Sequence, residues 1–114
     1  MQRTFGGLLR DMRQSHGVTQ RRLAEVAGVD FSYISKLEND HLPPPSAETI
    51  SRMSKALGVP DSDLLAAARK IPAEVGRSVA SSPAALQFLR SAAAMRLSES
   101  EWKKMRHQLK QLRE

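Results

Sequence analysis

The chain has 114 residues, enough for one compact core or a small core with an appendage, but not for two large independent domains. It contains no cysteine, which excludes disulfides, thiol catalysis and thiolate zinc sites; neither Met1 to Leu9 nor any later stretch has the apolar run of a signal peptide or of a bilayer-spanning helix of about 20 residues, so a cytoplasmic protein without membrane contact is expected. Eighteen Lys and Arg against twelve Asp and Glu give a net charge of +6, which favours a polyanionic partner such as nucleic acid; ten basic and eight acidic residues leave +2 in residues 1–70, and eight against four leave +4 in residues 71–114.

Apolar residues recur at spacings of three and four, and no alternating run is present, so an all-α protein is expected. The first helix runs roughly from Thr4 to Ser15 with Phe5, Leu8, Leu9 and Met12 on one face, and Gly17 closes it. Thr19 caps a second helix over about Gln20 to Ala27 that buries Leu23, Ala24 and Ala27, and Gly28 turns the chain. A third helix runs from Asp30, a good N-cap, to about Asn39. After the polar, proline-rich loop His41 to Pro45, Ser46 caps a fourth helix that buries Ile50, Met53 and Leu57 and ends at Gly58. Asp61 or Ser62 caps a fifth with Leu64, Leu65 and Ala68. Ile71-Pro72 marks an expected boundary, because proline disfavours helix at the residue before it. Residues 1–70 then form one domain and residues 71–114 a helical C-terminal extension. In the extension, Ser82-Pro83 opens a helix carrying Leu86, Phe88, Leu89, Ala92 and Ala93. Ser98 with Glu101 forms a capping box for a last helix whose Trp102, Met105, Leu109 and Leu112 lie on one narrow stripe.

Two short helices crossing steeply need a small residue at the crossing, a glycine at the turn and apolar residues at fixed offsets. Ala24 is that small residue, Gly28 the turn, and Leu23, Ala27, Val29, Ile34 and Leu37 the buried set. The whole stretch Thr19 to Asn39, together with Arg13, Ser46 and Ala56-Leu57-Gly58-Val59, resembles the phage-repressor-like (Cro/C1, or XRE) family of helix-turn-helix regulators over about residues 5–68. The resemblance implies a five-helix, lambda-repressor-like domain and sequence-specific binding of double-stranded DNA, with the third helix in the major groove. It places Phe31, Ser32 and Lys36 closest to base edges, flanked by Tyr33 and Ser35. Phe31 departs from the polar residues common at its position; it either packs on thymine methyls or on the proline loop. The Tyr33 ring either lies on the scaffold with its hydroxyl towards a phosphate or turns to the DNA. Gln20, at the start of the second helix, and Asn39 resemble phosphate-clamping residues. Arg21, Arg22 and His41 read as solvated side chains or as helpers in that clamp. Arg13 and Glu38 resemble a partly buried ion pair with a structural role.

Two half-sites one DNA turn apart need a symmetric pair of readers. The apolar residues of the extension, Leu86, Phe88, Leu89, Trp102, Met105, Leu109 and Leu112, are therefore expected either to join two copies in a homodimer or to pack on their own chain, and they also suit another protein partner. Lys103, Lys104, Arg106, Lys110 and Arg113 read as a solvated face or as contacts to flanking DNA. No enzyme is expected: His16, His41 and His107 are scattered, no glycine-rich phosphate loop follows a strand, and no cofactor or metal is implied. The expectation is a transcriptional repressor on an inverted-repeat operator, with an antitoxin-like or other protein-interaction module on the same fold as the alternative.

Overall fold

A computed structural model describes residues 3–114; the first two residues of the expected 1–70 domain lie outside the described residues. The described residues form eight α-helices and no strand: α1 Phe5–Ser15, α2 Gln20–Ala27, α3 Phe31–Glu38, α4 Ala47–Leu57, α5 Ser62–Ala68, α6 Ala73–Ala80, α7 Pro83–Met95 and α8 Glu99–Gln111. The protein is all-α. It divides into two compact units, one reaching Gly76 and the other Arg77–Glu114.

In the first unit the helix ends are set by local chemistry. Thr4, Thr19 and Ser46 hold extended backbone and accept the N–H of Gly7, Arg22 and Thr49, which satisfies one orphan donor at the start of α1, α2 and α4. Gly28 (φ 74°) and Gly58 (φ 71°) end α2 and α4 in the left-handed region, where a side chain is strained. Two expected caps differ. Asp30 occupies the N-cap position of α3 but its side chain makes no capping bond. Asp61 precedes α5 with a helical backbone instead of the extended one of the other caps; its side chain makes no capping bond and accepts the Ser51 hydroxyl at 3.1 Å.

The core is one cluster of Phe5, Leu9, Leu23, Ala24, Ala27, Ile34, Leu37, Ile50, Met53, Leu57, Leu64 and Leu65, with Leu8, Met12, Val18, Val29 and Tyr33 packed around it. α2 packs on α3 and α4, α1 on α3 and α5, and α4 on α5. Truncating one of the fully buried leucines to alanine removes about 2 to 5 kcal/mol. α1 and α3 come close at Gly6, where a Cβ would overlap the Leu37 carbonyl oxygen and crowd the Asp40 carboxylate. That carboxylate accepts the Gly6 N–H at 3.2 Å and the Thr4 hydroxyl at 2.9 Å, so the residue just beyond α3 caps α1 from outside.

α6 is a helix where the sequence shows only a boundary. Its apolar signal is limited to small alanines and the pair Val75 and Val79, Gly76 interrupts it, and none of its residues is buried, so no periodic stripe marks it. The Pro72 carbonyl accepts the Gly76 N–H at 3.0 Å, placing the proline just ahead of the helix it precedes. In the second unit Ser82 accepts the Ala85 N–H with Pro83 at the first helical position of α7, and the Ser98/Glu101 capping box opens α8. No helix among the described residues is long and apolar enough to cross a membrane.

Candidate nucleic-acid interface

α3 has two unlike sides. Ile34, Leu37 and Glu38, at spacings of three and four, are buried. Phe31, Ser32 and Lys36 are exposed, with Ser35 half-buried among them on the same side. Tyr33 is half-buried and packs on the core, which is the scaffold placement of its ring. Phe31 keeps 42% of its surface exposed, and the Arg21 guanidinium lies over the ring at 4.7 Å from its centre. Arg21, on α2, thus pairs with an aromatic side chain of α3. Sequence alone left it as a solvated charge or a helper, because residues ten apart on different helices share no periodic signal.

The buried end of α3 is held by charge. Glu38 has a fully buried carboxylate, and Arg13, with 11% of its side chain exposed, meets it with Nε at 2.6 Å from one oxygen and a second guanidinium nitrogen at 2.9 Å from the other. This two-bond fork is the strong form of an arginine–carboxylate contact. Arg13 also donates to the Val18 carbonyl at 2.9 Å, which ties the loop after α1 into the same group. Arg10 approaches the carboxylate at 3.6 Å and donates to the Glu38 carbonyl and the Asn39 side-chain oxygen. Burial by itself pushes the Glu38 carboxyl up; hydrogen bonds from Arg13 and Gln20, and the charges of Arg13 and Arg10, outweigh it and hold the carboxyl below its ordinary value. The Glu38 hydrogen bond raises Arg13 above its ordinary value against the opposing effect of burial.

Gln20 and Asn39 sit at the places where phosphate clamps are expected, but their side chains have internal partners. The Gln20 amide donates to Glu38 at 3.1 Å, and the Asn39 amide donates to the Ser35 carbonyl at 3.0 Å while its oxygen accepts from Arg10 at 2.7 Å. What α2 presents at its N-terminus is the pair of backbone N–H groups of Gln20 and Arg21, that of Arg22 being taken by the Thr19 hydroxyl. Arg10 is the member of the network that sequence reading missed; its position three residues before Arg13, on the same face of α1, was the available signal.

In the second unit Leu86, Phe88, Leu89, Trp102, Leu109 and Leu112 are all exposed, and Met105 is half-buried. Leu109 and Leu112 keep 66% and 75% of their surface open to solvent. Phe88 from α7 and Trp102, Met105, Leu109 and Leu112 from α8 and its end line an apolar groove of about 460 Å³. Among the described residues no group of three or more His, Asp or Glu is placed to hold a metal ion.

The two-sided α3 packed on α2, with Ala24 buried and Gly28 at the turn between them, is a helix-turn-helix, and a family model described as helix-turn-helix matches residues 9–64, from α1 into α5. The chain belongs to the Cro/C1-type helix-turn-helix family. This helix-turn-helix chain is 38% identical over 69 residues to the uncharacterized HTH-type transcriptional regulator RghRB of Bacillus subtilis, a stretch covering 60% of this chain and 50% of that protein. The match thus spans about half the length of that curated relative. SinR, the master regulator for biofilm formation, in a crystal structure with DNA, matches at 32% identity and a TM-score of 0.51 over 54% of this chain and 98% of that one; SinR is a Bacillus subtilis protein. The SinR protein/SinI protein complex matches at 23% identity and a TM-score of 0.53 over 94% of this chain and 95% of that chain, which extends the likeness of fold into the second unit. The helix-turn-helix family is one of DNA-binding transcriptional regulators and is not enzymatic in general.

Proposed function

We propose that this helix-turn-helix protein is a transcriptional repressor that docks α3 in the major groove of a double-stranded operator and does so as a homodimer on an inverted repeat. The observation that carries the reading is the division of α3: Ile34, Leu37 and Glu38 fix the helix from behind while Phe31, Ser32 and Lys36 stand exposed on the other side. A helix built this way offers side chains for base reading that the buried cluster does not use. Lys36 donates to guanine O6 and N7, Ser32 donates or accepts, and Phe31 contacts thymine methyls. The Gln20 and Arg21 N–H groups of α2 take a phosphate at the positive end of the helix, and the region of Tyr33, Ser35 and Asn39 lies along the backbone flank. These backbone contacts set register without reading sequence. The net charge of +6 supports the same partner.

The second unit is the dimerisation element in this reading. Its exposed Leu86, Phe88, Leu89, Trp102, Leu109 and Leu112 give a second copy of the chain an apolar surface to cover, and a second copy is what two half-sites require. The protein then works in the cytoplasm on chromosomal DNA. Selection of binding sites from a random duplex library with the full chain tests the proposal. Enrichment of an inverted repeat with half-site centres about 34 to 36 Å apart supports it. No enrichment at moderate salt overturns it and leaves a protein-interaction module, antitoxin-like, on a retained fold.

A further inference from the structure

The pairing of Arg21 with Phe31 has no part in the core: both side chains are exposed, and neither contributes to the buried cluster. An arginine laid over an exposed phenylalanine is held by the ring's negative face, and with Arg21 in place Phe31 still keeps 42% of its surface open to solvent. Phe31 is the first residue of α3, at the end of the helix that reaches deepest towards base edges in the docking proposed above. A phenyl ring has no hydrogen-bonding group, so the feature of the major groove that it can distinguish is the apolar 5-methyl group of thymine. An unsupported ring at a helix start samples several rotamers and loses entropy when one is fixed against a base. The Arg21 contact selects a rotamer before DNA arrives.

We infer that Arg21 is a positioning residue for specificity, which orients the Phe31 ring so that it reads a pyrimidine 5-methyl group in each half-site. The inference rests on the DNA-binding reading of α3 and deepens it: α2, which otherwise contacts only backbone, contributes to base choice through a stacked cation. Arg21 acts through Phe31 and touches no base itself.

The test uses the full-length protein and the operator obtained by selection. Each thymine of one half-site is replaced in turn by deoxyuridine, which deletes the 5-methyl and leaves every hydrogen-bonding group in place. The wild-type protein is expected to lose about four-fold in affinity at one such thymine, the effect of one buried methyl-sized group, and to regain it when a 5-methylated pyrimidine is restored there. Phe31→Ala brings the thymine-to-uracil ratio at that position to one. Arg21→Ala brings the ratio most of the way to one, and Arg21→Lys, which still places a cation over the ring, restores part of it. The ratio separates positioning from charge, because loss of a cation weakens thymine and uracil operators equally. A wild-type ratio of one at every thymine, or an Arg21→Ala protein that keeps the wild-type ratio, overturns the inference while the DNA reading stands. Failure of the wild-type protein to bind any duplex overturns both.

Discussion

Arg13→Ala is expected to destabilise the first unit by about 3 to 4 kcal/mol at pH 7, without removing any DNA-contacting atom. The substitution deletes two hydrogen bonds, at 2.6 and 2.9 Å, to a carboxylate with no solvent exposure, and a third to the Val18 carbonyl. Stranding one member of a buried ion pair costs about 3 to 5 kcal/mol. The carboxylate keeps Gln20 at 3.1 Å and Arg10 at 3.6 Å, which moves the cost towards the lower end, while the orphaned Val18 carbonyl adds to it. For a domain of this size the loss corresponds to a fall in Tm of about 12 °C or more. The pH dependence makes the assignment specific. Because the folded state holds the Glu38 carboxyl below its ordinary value, its contribution is complete above the unfolded value of about 4.3 and is lost as pH falls through the lower folded value. Arg13, whose guanidinium is raised, stays charged through this whole range. In the variant the buried carboxyl lacks its main stabilising partner and protonates at higher pH, so the stability gap to the wild type narrows as the medium is acidified below about pH 4 to 5. Urea unfolding followed by far-UV circular dichroism at pH 7, 5 and 3.5 measures the gap. A difference below about 1 kcal/mol at pH 7, or one that stays constant from pH 7 to pH 3.5, refutes the reasoning.

Lys36→Ala leaves folding intact, since the side chain is exposed, and relaxes preference at one base pair by about 1 to 3 kcal/mol; repeated site selection with the variant shows a single degenerate position, whereas uniform weakening on every sequence makes Lys36 a phosphate contact. Affinity for the operator falls steeply with salt, with a log–log slope of about −0.9 per phosphate neutralised, and titrations from about 50 to 200 mM salt that give a slope near zero remove the electrostatic part of the reading. A chain ending at Lys70 retains the whole buried cluster, from Phe5 to Leu65, and is expected to stay folded but sediment as a monomer; persistence of the dimer moves the interface into the first unit. Gly6→Ala is expected to destabilise by more than about 3 kcal/mol, because the added methyl meets the Leu37 carbonyl rather than a side chain that can turn away, and an unchanged thermal midpoint rules out this close approach of α1 and α3.

Local punctuation was the legible part of this fold. Thr19, Ser46, Ser82 and Ser98 each combine a capping side chain with a following apolar period, and Gly28 and Gly58 stand where the chain must turn left-handed, so the helices they bound could be read directly. Asp30 and Asp61 show the limit of that punctuation: the residue type suits a cap, but backbone angle and a competing partner decide whether the bond forms. α6 was illegible because Val75 and Val79 are its only large apolar residues and Gly76 interrupts it, so no stripe or cap signal marks it as the Ser98 box and the Trp102 to Leu112 stripe mark α8. The candidate interface divides in the same way. The buried side of α3 followed from spacing, and its outward residues and the Arg13–Glu38 pair from a resemblance, but the inward turn of Gln20, the second arginine at Arg10 and the stacking of Arg21 on Phe31 join residues ten to 28 positions apart on different helices. Such pairings are products of tertiary packing; only Arg10 carried a local signal, its place one turn before Arg13 on α1.

The two sides of α3 also bear on how such a protein acquires new targets. Phe31, Ser32 and Lys36 contribute nothing to the buried cluster, while the helix they ride on is fixed from its far end by Glu38 and by the Asp40 clasp on α1. In the docking proposed above, changes at the three outward positions therefore escape the stability threshold that limits most substitutions, and a gene copy would drift to a different operator through folded intermediates. Vocabulary and scaffold are separately heritable within one eight-residue helix.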